Sequence, residues 1–142
     1  IKLGYPTKEE EKTIITKNID NPLDHIEPII NFNELNYLLQ NVSKVSANED
    51  VMDYLVEIVS ATRNMKEIAL GVSPRGSIAL FKASQSYAAI NGRDYILPED
   101  IKYIAPYVLN HRIIAPSMDN IEDSIELINK IIENVKVPLE EI

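Results

Sequence analysis

Residues 71 to 101 read GVSPRGSIALFKASQSYAAINGRDYILPEDI, and the reading of this stretch decides the fold. Ser73 is placed to cap a helix and Pro74 to open it, because proline's fixed φ and missing N–H suit the first helical position. Beyond them Ile78, Ala79, Leu80, Phe81, Ala83, Ala88 and Ala89 put apolar or small side chains around most of the helix circumference. The pattern predicts a central, closely packed helix reaching about Asn91, with Gly92 as its C-terminal stop. Tyr95 to Leu97 reads as a short extended piece, and Pro98 opens another helix. Arg75 fits this frame badly. It falls in the first turn, beside the positive end of the helix dipole, where an exposed cation costs roughly 0.3–1 kcal/mol. Two partners could offset that cost. One is an external anion held between the guanidinium and the helix N-terminus. The other is a carboxylate of this chain, from one of its acidic helix starts, to which Arg75 folds back.

On the N-terminal side, Ser46 and Glu49 have the spacing of a capping box, and Val51, Tyr54, Leu55, Ile58 and Val59 follow at helical period. That helix is predicted to run to about Asn64, with Arg63 in the last turn, where a cation suits the dipole. Thr7 and Glu10 form another capping box, and a helix with Glu9, Glu10 and Glu11 in its first turn is predicted to reach about Ile19. The stretch DNPLDHIEPII, residues 20 to 30, has two prolines and no period, so it reads as loop. Asn33 is expected to cap a short helix carrying Leu35, Leu38 and Leu39 and ending near Val42. On the C-terminal side, Ile101, Ile104, Ala105, Val108 and Leu109 share a helix that Pro106 could kink, and His111-Arg112 closes it. A last helix after Pro116 carries Ile121, Ile125, Ile128, Ile131 and Ile132, before a tail VKVPLEEI. The extended pieces at Val45 and Ile96 could pair as a minimal two-strand bridge. The fold class is therefore all-α, a small helical bundle of about five or six helices.

Composition narrows the function. The chain has 142 residues and is 45% hydrophobic, enough to bury a core and too much for a disordered segment. No apolar run approaches the roughly 20 residues that span a membrane, and no signal peptide is evident. With no cysteine, and only His25 and His111, neither a disulfide frame nor a zinc centre is expected. These features predict a cytoplasmic protein. A net charge of −8, with scattered lysines, disfavours nucleic acid as a partner. The chain lacks the phosphate-loop, dinucleotide, H-E-x-x-H and calcium-loop patterns, and no nucleophile stands in a recognisable triad. Its carboxylates cluster at helix starts, where capping accounts for them. Arg93 and Asp94 read as braces of their turn, and Tyr54, Tyr87 and Tyr103 fall on apolar faces as core residues. The opening IKLG resembles the end of a strand whose sheet lies elsewhere, which suggests a piece of a longer protein.

Four segments together carry a family resemblance: YP before a capped helix; DYLVEIVSATR (53–63); LGVSPRGSIALFKASQSYAAINGRDYILPEDI (70–101); and VLNHRI (108–113). G-x-S-P-R, G-R-D-Y, P-E-D-I and H-R in this order and spacing resemble the C-terminal part of a MoxR-family AAA+ ATPase, from about Leu3 to Ile114. The resemblance implies a helical lid that closes over ATP bound by an α/β core, with Mg²⁺ held by that core and no metal site in the lid. It implies that residues 1–6 end a core strand and form the interdomain hinge. Residues 7–116 would be the lid bundle, and 117–142 a C-terminal helix and tail. Arg75 matches the family's sensor-2 arginine, which reaches the γ-phosphate, with Ser73 and Pro74 beside it, while Tyr5 and Pro6 match the hinge and could line the adenine edge. A simple turn would explain Tyr5 and Pro6 equally well. The family further implies ring oligomers, usually hexamers, in which the lid meets the neighbouring subunit. It also implies chaperone-like maturation of protein complexes, often beside von Willebrand factor A domain proteins. The chain by itself is expected neither to hydrolyse ATP nor to hold it tightly. Two departures from the pattern stand out. Leu97 replaces the usual Ser or Thr cap, weakening that helix start by roughly 1 kcal/mol, and Gly76 replaces a common alanine, loosening the turn behind Arg75. The rival readings are a lid from a magnesium-chelatase-like or DNA-dependent AAA+ motor, and a free-standing helical adaptor that binds partner helices.

Overall fold

A computed structural model describes residues 4–17, 26–116 and 121–138. The chain forms two compact units, Ile1–Leu35 and Asn36–Ile142. In the first, α1 (Lys8–Lys17) starts with the expected capping box: Thr7 N–H donates to Glu10 Oε2 at 2.8 Å, and Glu10 N–H donates to Thr7 Oγ1 at 3.4 Å. None of its residues is buried. Residues 18–19 of the predicted helix, much of the 20–30 loop with His25, and the strand end at 1–3 lie outside the described residues. Helix α2 (Phe32–Val42) crosses from the first unit into the second. Its cap is Asn31, not Asn33. The Asn31 carboxamide oxygen accepts from the N–H groups of Asn33 and Glu34, and Glu34 accepts from the Asn31 N–H in return. Asn33 is already the second residue of the helix, and its own N–H is one of the groups that Asn31 caps.

The second unit adds α3 (Glu49–Asn64), α4 (Pro74–Ile90), α5 (Pro98–Leu109), a 3₁₀ turn (Asn110–Arg112) and α6 (Ile121–Asn134). The cap of α3 is Asn48, whose side chain accepts from Val51 N–H at 2.8 Å, rather than Ser46. Ser46 is occupied elsewhere. Its N–H donates to the Asp94 carbonyl and its carbonyl accepts from Ile96 N–H, so the two extended pieces meet in a parallel bridge between Ser46 and Tyr95, beside the buried Val45 and Ile96. A second bridge, antiparallel, joins Leu70 to Ile114.

Leu55, Ile58, Val59, Leu80, Ile101, Ala105, Leu109 and Ile128 are almost completely buried and form the centre of the core. Helices α3 and α5 pack on each other and on both α4 and α6, and the α4–α5 pairing is the most extensive in the bundle. Helix α4 is thus closely packed against α5 and α3, but it is not enclosed around most of its circumference as predicted. One face of α4 (Gly76, Leu80, Ser84, Gln85, Ala88) is buried, but Ile78 and Ile90 are exposed. Helix α5 continues through Pro106 to Leu109, and α6 packs on α5 and α3 through Ile128 and Ile131. Among the described residues no helix is long and apolar enough to cross a membrane.

Candidate functional site

The start of α4 is built by the segment that leads into it. After α3 ends, Ala69 and Leu70 donate their N–H groups to the Ile114 carbonyl, and Ile114 donates back to Leu70. Gly71 then passes so close to α3 that a Cβ there would lie 2.7 Å from Arg63 Cα. Val72, 1% exposed, donates its N–H to Thr62 Oγ1 at 3.0 Å, and its carbonyl accepts from Arg63 Nε at 2.8 Å. Ser73 follows in the extended N-cap conformation and Pro74 takes the first helical position, as the sequence predicts. Ser73 makes no side-chain capping bond; only its carbonyl is engaged, accepting from Gly76 N–H at 2.8 Å.

Arg75 follows in this first turn and is exposed. No carboxylate of the described residues pairs with it, and no hydrogen bond ties its guanidinium down. The fold-back alternative is therefore not what this structure adopts. A cation, an uncapped helix start and a free serine hydroxyl are brought together on open surface, and a phosphate-like anion fits that set of donors. A cleft of about 570 Å³, lined by Val45, Ala89, Gly92 and Arg93 among others, belongs to the opposite end of α4. An anion meeting Arg75 would accordingly need a second surface to enclose it. Tyr5 and Pro6 lie in the other unit, both exposed, immediately before the cap of α1. Among the described residues no group of three or more acidic or histidine side chains could hold a metal ion.

The remaining singled-out residues are structural. Arg63 does more than complement the α3 dipole, since it holds the Val72 carbonyl. Arg93 braces its turn, with Nη1 and Nη2 each 2.6 Å from the Asp100 carboxylate and Nη1 3.2 Å from the Tyr95 carbonyl. Asp94 contributes through its backbone carbonyl to Ser46. Arg112 Nε donates to the Val108 carbonyl and so closes α5. Tyr54 is core, but Tyr103 is exposed and Tyr87 half-buried. Their rings stack 4.6 Å apart, with Tyr107 5.7 Å beyond, as a ladder across α4 and α5. Tyr103 and Tyr107 leave the core because the inward face of α5 is set by Ile101, Ala105 and Leu109. Thr62, which anchors Val72, carries no signal in the sequence. Only the fold brings the Val72 N–H to a threonine ten residues earlier.

The chain belongs to the AAA lid domain family, whose profile matches residues 60–131. It is 38% identical to the uncharacterized protein YeaC of Bacillus subtilis, over 99% of this chain and 45% of that protein. It is 31% identical to the chaperone MoxR1 of Mycobacterium tuberculosis, over 97% of this chain and 39% of the relative. A solved structure of a candidate ATPase from Cytophaga hutchinsonii superposes with a TM-score of 0.73 at 28% identity, over 96% of this chain and 45% of that one. The chain therefore spans less than half the length of each. These relatives group it with the lids of MoxR-type AAA+ ATPases.

Proposed function

We infer that this chain closes over ATP held by an α/β core domain and that Arg75 is its sensor-2 arginine. One observation carries the reading: an exposed arginine without an intramolecular partner stands at the uncapped start of α4, in a chain of the AAA lid family. ATP, when bound, brings the phosphoryl group, and Mg²⁺ belongs to the core. The role of Arg75 is to donate charge-assisted hydrogen bonds to the terminal phosphate and stabilise the charge that develops there. Ser73 and Pro74 shape the turn beside it, and Tyr5 and Pro6 form the hinge at the adenine edge. Within this reading residues 1–6 are the hinge, 7–116 the lid bundle and 117–142 its C-terminal helix and tail. The parent protein works in the cytoplasm as a ring, a hexamer, whose lids meet neighbouring subunits. It couples ATP hydrolysis to chaperone-like maturation of protein complexes, with von Willebrand factor A domain proteins among its partners. The chaperone name of the mycobacterial relative supports that role.

The test is ATP turnover. In the full-length protein, Arg75→Ala is expected to lower kcat by about 10²-fold or more, the scale of losing one charged donor to a developing oxyanion. Its melting temperature should stay within a degree or two of the parent's, since the side chain is exposed and unpaired. Equal turnover by mutant and parent would defeat the assignment. The chain alone should show no turnover above background.

A further inference from the structure

Among the described residues the Arg75 side chain has no hydrogen-bond or ion-pair partner, so its position is set by the backbone that carries it. That backbone is gripped one residue before the cap of α4. Both polar backbone groups of Val72 are held by α3 side chains, the N–H by Thr62 Oγ1 and the carbonyl by Arg63 Nε. Thr62 is completely buried and is fixed in turn by donating to the Val59 carbonyl at 2.6 Å. Val72 transmits this grip to α4 by contact. A Cβ on Gly76 would collide with Val72 Cγ1, so the first turn of α4 rests directly on the Val72 side chain. Only Ser73 and Pro74 separate Val72 from Arg75, and the proline has a fixed φ. Connecting α3 to α4 does not require this grip, because Ala69 and Leu70 are already bonded to Ile114.

We propose that Thr62 and Arg63 are positioning residues for Arg75: by clasping Val72 from both sides they fix the height and direction at which the guanidinium leaves α4. The proposal rests on the reading of Arg75 as the phosphate-sensing arginine. A displacement of about 1 Å in a group that must meet a reacting centre can cost about 10²-fold in rate. Loosening the clasp should therefore slow chemistry without removing any group that touches nucleotide.

The full-length protein tests this with Thr62→Val, which keeps the shape and removes the hydroxyl, Thr62→Ser, which keeps the hydroxyl, and Arg63→Ala. Arg75→Ala is measured alone and combined with each clasp variant. Steady-state kcat and KM for ATP are read on proteins shown to be folded by their circular-dichroism melts. Thr62→Val and Arg63→Ala should each lower kcat by about tenfold or more while KM stays within about twofold, and Thr62→Ser should keep kcat near the parent's. Either clasp change added to Arg75→Ala should slow the enzyme no further, because the clasp acts through that side chain. Parent-like kcat in folded clasp variants overturns the proposal, and so does a double variant whose loss is the product of the two single losses. If Thr62→Val does not fold, Arg63→Ala, whose side chain is at the surface, decides by the same criteria. Parent-like kcat in Arg75→Ala alone instead defeats the sensor reading, and the clasp role falls with it.

Discussion

Asp100 is 2% exposed and yet ionised, because its carboxylate accepts two hydrogen bonds from Arg93 and one from the Leu97 N–H. Burial by itself would raise its pKa. The hydrogen bonds and the Arg93 charge prevail and hold it below the usual carboxylate value. The bond to Leu97 is also half of a capping box, so the α5 start keeps one of its terminal N–H groups satisfied although leucine cannot cap. A depressed folded pKa contributes stability that is fully present above the ordinary aspartate value of about 3.9 and is lost as pH falls through the folded one. Asp100→Asn is thus expected to cost about 3 kcal/mol at neutral pH, the low end for a buried pair because the Arg93 side chain remains 21% exposed. Melting curves between pH 7 and 2 check this. The variant should start lower and lose less stability below about pH 4 than the parent, and parallel curves would show that the pair does not titrate this way. Tyr54 is the opposite case. Burial, with the Glu99 charge second, pushes its phenol up to about 12, so it stays neutral.

At the scale of elements, the turn leading into α4 is tight. Gly76 does not merely loosen the helix behind Arg75. It removes a Cβ that would collide with Val72 Cγ1 and touch Arg112 Cδ at 3.4 Å. Val72 is in the core, so relieving the collision requires a buried side chain to shift. Gly76→Ala gains up to about 1 kcal/mol of helix propensity and loses about 1–3 kcal/mol to overpacking. The expected outcome is a melting temperature lower by several degrees, and an unchanged or higher value would show that the Val72 contact is soft. Caps teach a related lesson. Sequence spacing selects a box at Ser46 and Glu49, but the Ser46 backbone is committed to the strand segment at Asp94–Ile96, so α3 begins two residues later on Asn48. Several capping side chains stand near each helix start, and tertiary hydrogen bonds choose among them.

For the whole molecule, the bundle depends on α6 as much as on the helices at its centre. Ile128 and Ile131 are 0% and 4% exposed against α3 and α5. Burying two such side chains contributes about 3–6 kcal/mol, comparable with the whole stability of a typical domain. A chain ending at Pro116 is expected to lose its cooperative thermal transition by circular dichroism; a melt matching the parent's would show that α6 is dispensable. The helices, their main periodic positions and the placement of Ser73, Pro74 and Arg75 were legible in the residues, because period and proline act locally along a chain. How far α4 is enclosed, which tyrosines surface, why position 76 is glycine and how Thr62 and Arg63 grip Val72 were not legible. Those depend on where distant segments meet, and a hydrogen bond between residues ten apart, or a contact that leaves no room for a methyl group, exists only once the bundle has closed.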